Sequence, residues 1–175
     1  MNYRLVLSFI AIVFSPISMA ASLKSSDNKF FTINIKCNTQ KECAYNNQDE
    51  IPVVVELSNI SSNGFYIPWE YIKKTGPSIE LVDPYSRKSI ILKQNLVSWG
   101  LKRKMLYIPA GSYVSFSWDI LHRDIAPFVK NATVHVNAIF KIRTKIYDDK
   151  NSKVGEFIST SKLLIRDSNL VSNKH

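Results

Sequence analysis

Apolar and polar residues alternate with a period of two over much of this chain. Val53, Val55 and Leu57 alternate with Pro52, Val54 and Glu56, which places one apolar row on a single face and predicts a half-buried strand. The turn formers Ser58-Asn59-Ile60-Ser61-Ser62-Asn63-Gly64 follow, with Asn-Gly as the pair best able to adopt positive φ, and Phe65 to Trp69 resumes an aromatic-rich strand. Upstream, Phe31, Ile33 and Ile35 alternate with Thr32, Asn34 and Lys36 and predict the first strand. Downstream, Ser78–Asp83 and Ser89–Leu92 flank Pro84 to Lys88, the pattern of a hairpin whose turn opens with Asp-Pro.

Met105–Ile108 is a short strand stopped by Pro109-Ala110-Gly111-Ser112. Val114, Phe116 and Trp118 then alternate with Ser115, Ser117 and Asp119, so a second hairpin is the simplest expectation there. The longest regular pattern comes next: Val134, Val136, Ala138, Phe140 and Ile142 on one face, and His135, Asn137, Ile139, Lys141, Arg143 and Lys145 on the other. A polar turn over Tyr147–Gly155 leads to a last strand over Phe157–Ile165. Two segments carry no strand period: Glu70–Pro77, which fits a helical turn or a crossing loop closed by Gly-Pro, and Lys93–Arg103, which reads as a long connection. One helical turn is expected near Leu121. The row Val53, Val55 and Leu57 is expected to face the row Val134 to Ile142 across the core.

About eight or nine short strands separated by Gly, Pro, Asn and Ser turns, with no amphipathic helix of ten residues, predict an all-β fold of the sandwich or barrel kind. Only 5 glycines in 175 residues supply few tight barrel corners, which favours the sandwich.

The N-terminus changes the compartment. Arg4, an apolar run from Leu5 to Phe14, and the small residues Ser18 and Ala20 make residues 1–20 a signal peptide cleaved after Ala20. The apolar run is too short for the roughly 20 residues that span a bilayer. The expected organisation is a signal peptide over 1–20, a flexible leader over 21–29, a single domain over 30–166 and a frayed tail over 167–175. The mature protein is then periplasmic or secreted and does not span the membrane.

Charge and cysteines refine this picture. Loss of Arg4 leaves 22 Lys and Arg against 14 Asp and Glu, a formal charge of +8. Outside the cytoplasm such a surface favours acidic proteins, lipid head groups or envelope polymers over nucleic acid. Cys37 and Cys43 bracket a polar loop and, in an oxidising compartment, predict a disulfide. Their spacing is not that of a CxxC redox pair, and His122, His135 and His175 are too scattered for a metal site.

No nucleophile elbow, no free cysteine beside a histidine and no phosphate-cradling glycine loop is present, so no catalytic residue and no cofactor is assigned. His122-Arg123-Asp124 offers a base next to a carboxylate, but sequence neighbours point apart in a strand or loop. Recognition chemistry remains. Trp99, Lys102, Arg103 and Lys104 place a flat aromatic and three cations on the long connection, and Lys141, Arg143 and Lys145 make a basic stripe on one strand face. Solvated faces, or an edge strand guarded by lysines, account for the same charges without a ligand. Tyr66 and Trp69 read as packing residues. Asn59-Ile60-Ser61 and Asn131-Ala132-Thr133 fit the glycosylation sequon, which matters only in a eukaryotic secretory route.

The run Glu56-Leu57-Ser58-Asn59-Ile60-Ser61-Ser62, the aromatic strand after it, and Ile108-Pro109-Ala110-Gly111-Ser112 leading into Tyr113–Ile120 resemble an immunoglobulin-like sandwich type. That type is found in the pro-region of deuterolysin-like metalloendopeptidases and in BsuPI-like proteinase inhibitors. The resemblance spans Ile51 to Phe140 and departs from the pattern at Ala132-Thr133, where such domains often carry Gly-Tyr. With no His-Glu-x-x-His in the chain, it does not imply the protease itself. It implies an immunoglobulin-like β-sandwich. Export, a compact basic sandwich, long irregular loops and the lack of a catalytic set lead to the functional expectation of a non-enzymatic inhibitor or immunity role, exercised by one-to-one binding to an exported toxin or hydrolase. The alternative expectation is an envelope-associated structural or adhesive protein that holds anionic polymer or lipid through the basic stripe.

Overall fold

A computed structural model describes residues 30–37, 42–46, 50–131 and 133–167. The expected signal peptide, the leader over 21–29 and residues 168–175 lie outside the described residues. The molecule is mostly β, with two sheets sharing one apolar core.

The first sheet holds β1 (Phe31–Lys36), β3 (Ile51–Asn59) and β8 (Tyr113–Ile120) in the order β1-β3-β8, all antiparallel. The second is built on a long hairpin of β9 (His135–Tyr147) and β10 (Lys153–Asp167), with β2 (Glu42–Tyr45) parallel to β10 at one edge. The far side of β9 is shared by two short strands. β5 (Ser78–Val82), with β6 (Ser89–Ile91) outside it, pairs along Asn137–Lys141. β4 (Phe65–Ile67), with β7 (Leu106–Ile108) outside it, meets β9 at Tyr147 through Tyr66. Between β4 and β5 lies helix α1 (Trp69–Thr75), and a short helix α2 (His122–Ile125) follows β8.

The alternation reads out as expected on the long strands. Val53, Val55 and Leu57 from the first sheet, and Val134, Val136, Ala138, Phe140 and Ile142 from the second, all lie buried in the one core. Phe31 on β1 meets Phe157 on β10 edge to face at 5.6 Å. The hairpin expected around Asp83 is present as β5 and β6. Its turn is fixed by the buried Asp83 carboxylate, which accepts from Lys130 Nζ at 2.8 Å, Ser86 Oγ at 2.6 Å and the backbone N–H of Tyr85 at 2.9 Å.

Two expectations fail for one physical reason. Met105–Ile108 and Val114–Trp118 do not form a hairpin: β7 belongs to the second sheet and β8 to the first, so Pro109–Ser112 is a crossing between sheets. The stretch after β3 is likewise a crossing from the first sheet to β4 in the second. Asn63 and Gly64 are accordingly not a positive-φ turn pair; Gly64 is small because a Cβ there would run into the Tyr107 ring. Asn59, 1% exposed, ties the two crossings together. Its Nδ2 donates to the carbonyls of Asn63, Ile108 and Pro109 at 2.8, 3.0 and 3.1 Å, and its Oδ1 accepts from the Ser61 N–H and hydroxyl. Buried in that network, Asn59 is closed to glycosylation in the folded protein.

Ten strands are described rather than eight or nine, because β2, unanticipated at Glu42–Tyr45, joins the second sheet. The disulfide Cys37–Cys43 forms as expected, with Cα atoms 5.3 Å apart. It links the end of β1 in one sheet to β2 in the other. The last strand is longer than Phe157–Ile165 and runs through Asp167.

Candidate functional site

α1 begins after Pro68 and ends at Gly76, whose φ of 77° and ψ of 172° belong to a region open essentially to glycine. A side chain there would also strike the Trp118 ring. Glu70 near the start and Lys73 and Lys74 near the end suit the helix dipole. The aperiodic segment that follows β6 owes its lack of pattern to the way it is held. It is stitched onto the end of α1 by polar bonds from Asn95 N–H to Thr75 O (3.1 Å), Gln94 Nε2 to Gly76 O (2.9 Å) and Asn95 Nδ2 to Lys74 O (3.2 Å). It then enters a 3₁₀ turn, Trp99–Arg103, capped by Ser98 Oγ accepting from the Gly100 N–H.

That turn leans on α1 through one cation. Lys102 Nζ sits 3.5 Å from the centre of the Trp99 ring and 4.5 Å from that of Tyr71. Lys102 is therefore engaged by two aromatic rings, while Arg103 and Lys104 remain exposed.

α1 and the 3₁₀ turn form one wall of a groove whose floor is β9. Two cavities of about 300 Å³ each meet at Tyr71 and Arg143. The first continues to Thr75, Gln94 and Lys141, the second to Trp99, Lys145 and Tyr147. Beyond Tyr147 a shallower hollow extends the groove to Arg103 and Asn151. The groove exists because β9 lacks a neighbour there. On the side away from β10 its partners stop at Lys141 (β5) and resume at Tyr147 (β4), so Ile142–Ile146 face no strand among the described residues. In sequence, α1 takes up the interval between those two short strands.

The structure thus brings together six of the seven residues expected to bind a partner. Trp99, Lys102 and Arg103 from the connection, and Lys141, Arg143 and Lys145 from the stripe, line one surface; Lys104 is not among the lining residues. β9 is an inner strand of the sheet, but Arg143 and Lys145 of the stripe fall in the interval where one of its sides is unpaired among the described residues. Tyr66 and Trp69 pack as expected, Tyr66 on Tyr107 and Trp69 on Phe116. His122 serves packing as well: its Nδ1 is 2.7 Å from the Tyr45 hydroxyl and the rings stack, while the Asp124 carboxylate accepts from the Leu121 N–H.

The charges in the groove are not equivalent. Arg143 makes a two-pronged pair with Glu156 on β10 at 2.8 and 3.0 Å. The bond from Arg143 holds the Glu156 carboxyl below its usual range, Lys153 and Lys145 add to the effect, and Glu156 in turn raises Arg143. Lys141 and Lys145 are exposed and make no ion pair closer than 4 Å among the described residues. At the Lys141 end, the buried Thr75 hydroxyl has no hydrogen-bond partner.

Tyr71, Tyr147, Glu156, Thr75 and Gln94 were not singled out from the sequence. Only Glu156 left a usable signal: a turn over Tyr147–Gly155 places it near Lys145 across the hairpin, and the register sets the two opposite each other. No group of three or more His, Cys, Asp or Glu positioned for a metal occurs among the described residues. No helix of the described residues is long and apolar enough to cross a membrane.

No protein-family model matches the chain, and no curated protein does. Among solved structures, a Northeast Structural Genomics Consortium target, SoR45, is similar at 8% identity, with a TM-score of 0.47 over 85% of this chain and 95% of its own. The putative ApaA protein from Bordetella pertussis is similar at 8% identity, with a TM-score of 0.41 over 78% of this chain and 93% of its own.

Proposed function

We propose that this is an exported, immunoglobulin-like binding protein, without catalytic function, that acts by holding an acidic segment of an exported protein partner in the groove over β9, as an inhibitor or immunity factor does. The observation that carries this reading is the meeting of two basic segments, more than thirty residues apart in sequence, on one concave surface walled by Tyr71, Trp99 and Tyr147. Aromatic rings and arginine dominate interface energetics, and cations that lack an internal carboxylate attract an acidic partner. The disulfide is consistent with export.

The experiment is a pull-down from periplasmic extract with the folded protein as bait, at low and at raised salt. The expected result is one defined acidic protein at one-to-one, retained at moderate salt and lost when Lys141 and Lys145 are both replaced by Gln. Both side chains are exposed, so the melting temperature of that double variant should stay at the wild-type value. Recovery of envelope polymer or anionic lipid instead, fading steeply as salt rises, would move the protein to the structural or adhesive role. Recovery of nothing defeats the reading.

A further inference from the structure

The stretch Ile142–Ile146 of β9 has an unusual position inside a sheet. β10 pairs it on one side, while on the other β5 ends at Lys141 and β4 begins only opposite Tyr147. At the strand rise of roughly 3.3 Å per residue, the five residues leave a gap about 17 Å long. No backbone hydrogen bond from a turn or loop reaches these residues among the described ones, and the two groove cavities lie against them. We infer that the partner segment binds here by strand addition, completing the sheet between β5 and β4, with acidic side chains at alternate positions. This rests on the reading of the groove as a partner site and says how the site recognises its ligand.

Three observations point the same way. Backbone N–H and C=O groups at an open strand edge are hydrogen-bonding groups that an extended chain satisfies with main-chain bonds whatever its sequence. The outer-face side chains along the gap are Arg143 and Lys145, and Lys141 stands at its end opposite Ser78 of β5, all cations at a spacing of two. A strand with carboxylates at positions i and i+2 would set one beside Lys145 and one beside Arg143, with Lys141 at the end of the gap, and the second would share Arg143 with Glu156, which already occupies its fork. The buried Thr75 hydroxyl at the Lys141 end is a donor without a partner, available to a carbonyl of an incoming chain. The alternating pattern is what separates this ligand from a generic polyanion: a polymer with uniform charge gains nothing from the main-chain edge.

The probe is a capped peptide alternating glutamate with valine, titrated into the folded protein while the backbone amides of residues 142–146 are followed by NMR and hydrogen exchange. Binding should shift and protect those amides. A peptide of the same composition with its glutamates grouped at one end should bind about tenfold more weakly, because its carboxylates no longer line up with Arg143 and Lys145 along the gap. Two further versions, N-methylated at one or the other alternating set of amides, remove the main-chain donors. The set that faces β9 should lose about tenfold or more, since each lost bond leaves a strand-edge acceptor unmet.

Equal binding by the grouped peptide or by both N-methylated versions would overturn strand addition, as would equal binding by polyphosphate. An alternating peptide that fails to bind, while the captured partner still depends on Lys141 and Lys145, would overturn it too and leave the partner reading intact. Binding by the peptide with no partner recovered would do the reverse.

Discussion

Asp83 shows how one side chain can hold a turn and set a pH response. It is nearly fully buried, and the Lys130 ammonium, then the Ser86 hydroxyl and the Tyr85 N–H, hold its carboxyl far below the usual carboxylate range. A carboxyl depressed in the folded state stabilises the protein while it is ionised in both states, and that contribution is lost as pH falls through and below its ordinary value, about 4 in an unfolded chain. Comparison of acid unfolding between wild type and Asp83→Asn should therefore show a stability difference that is constant above pH about 5 and shrinks as the pH drops below about 4. A difference that grew on acidification would contradict the geometry.

The elements owe their placement to crossings more than to turns. β3 and β4 are consecutive in the chain, as are β7 and β8, yet each pair is split between the two sheets. Asn59 sits where the two crossings touch and bonds to backbone on both. Replacing Asn59 by Ala leaves buried carbonyls and an N–H unmatched and should lower unfolding stability on the order of 3 kcal/mol, read by chemical denaturation. The same cut should spare β9 and β10, whose pairing is local. The groove is likewise a product of element arrangement: α1 displaces what would otherwise be a continuous strand between β4 and β5, and the 3₁₀ turn is clamped to it by Lys102 between Trp99 and Tyr71.

At the scale of the whole molecule the disulfide acts as a tie between sheets. Closing so short a loop contributes about 2 kcal/mol by loop entropy, so reduction should lower stability by about that much without unfolding the protein, as measured by denaturant titration with and without reductant. Much of this architecture was legible in the sequence. The period of two in Phe31–Lys36, in Val53–Leu57 and along His135–Lys145 depends only on side chains pointing alternately to either face, and each such row proved to be a strand with its apolar set inside. The cysteine pair and the basic character of Trp99–Lys104 and Lys141–Lys145 were also local facts. Sheet membership was not, because a run of turn formers such as Pro109–Ser112 looks alike whether it folds a strand back on its neighbour or carries it to the other sheet. Nor could the pattern show that Arg143 pairs with Glu156, that Lys102 is spent on two rings, or that the loop and the stripe share one groove. Sequence by itself determined which residues alternate, and so which strands form and which faces they bury, since those preferences act over a few neighbouring residues. Only the tertiary structure decided that β9, among the described residues, has no second neighbour opposite β10 between Lys141 and Tyr147, because that gap depends on where two short strands, distant in sequence, happen to end.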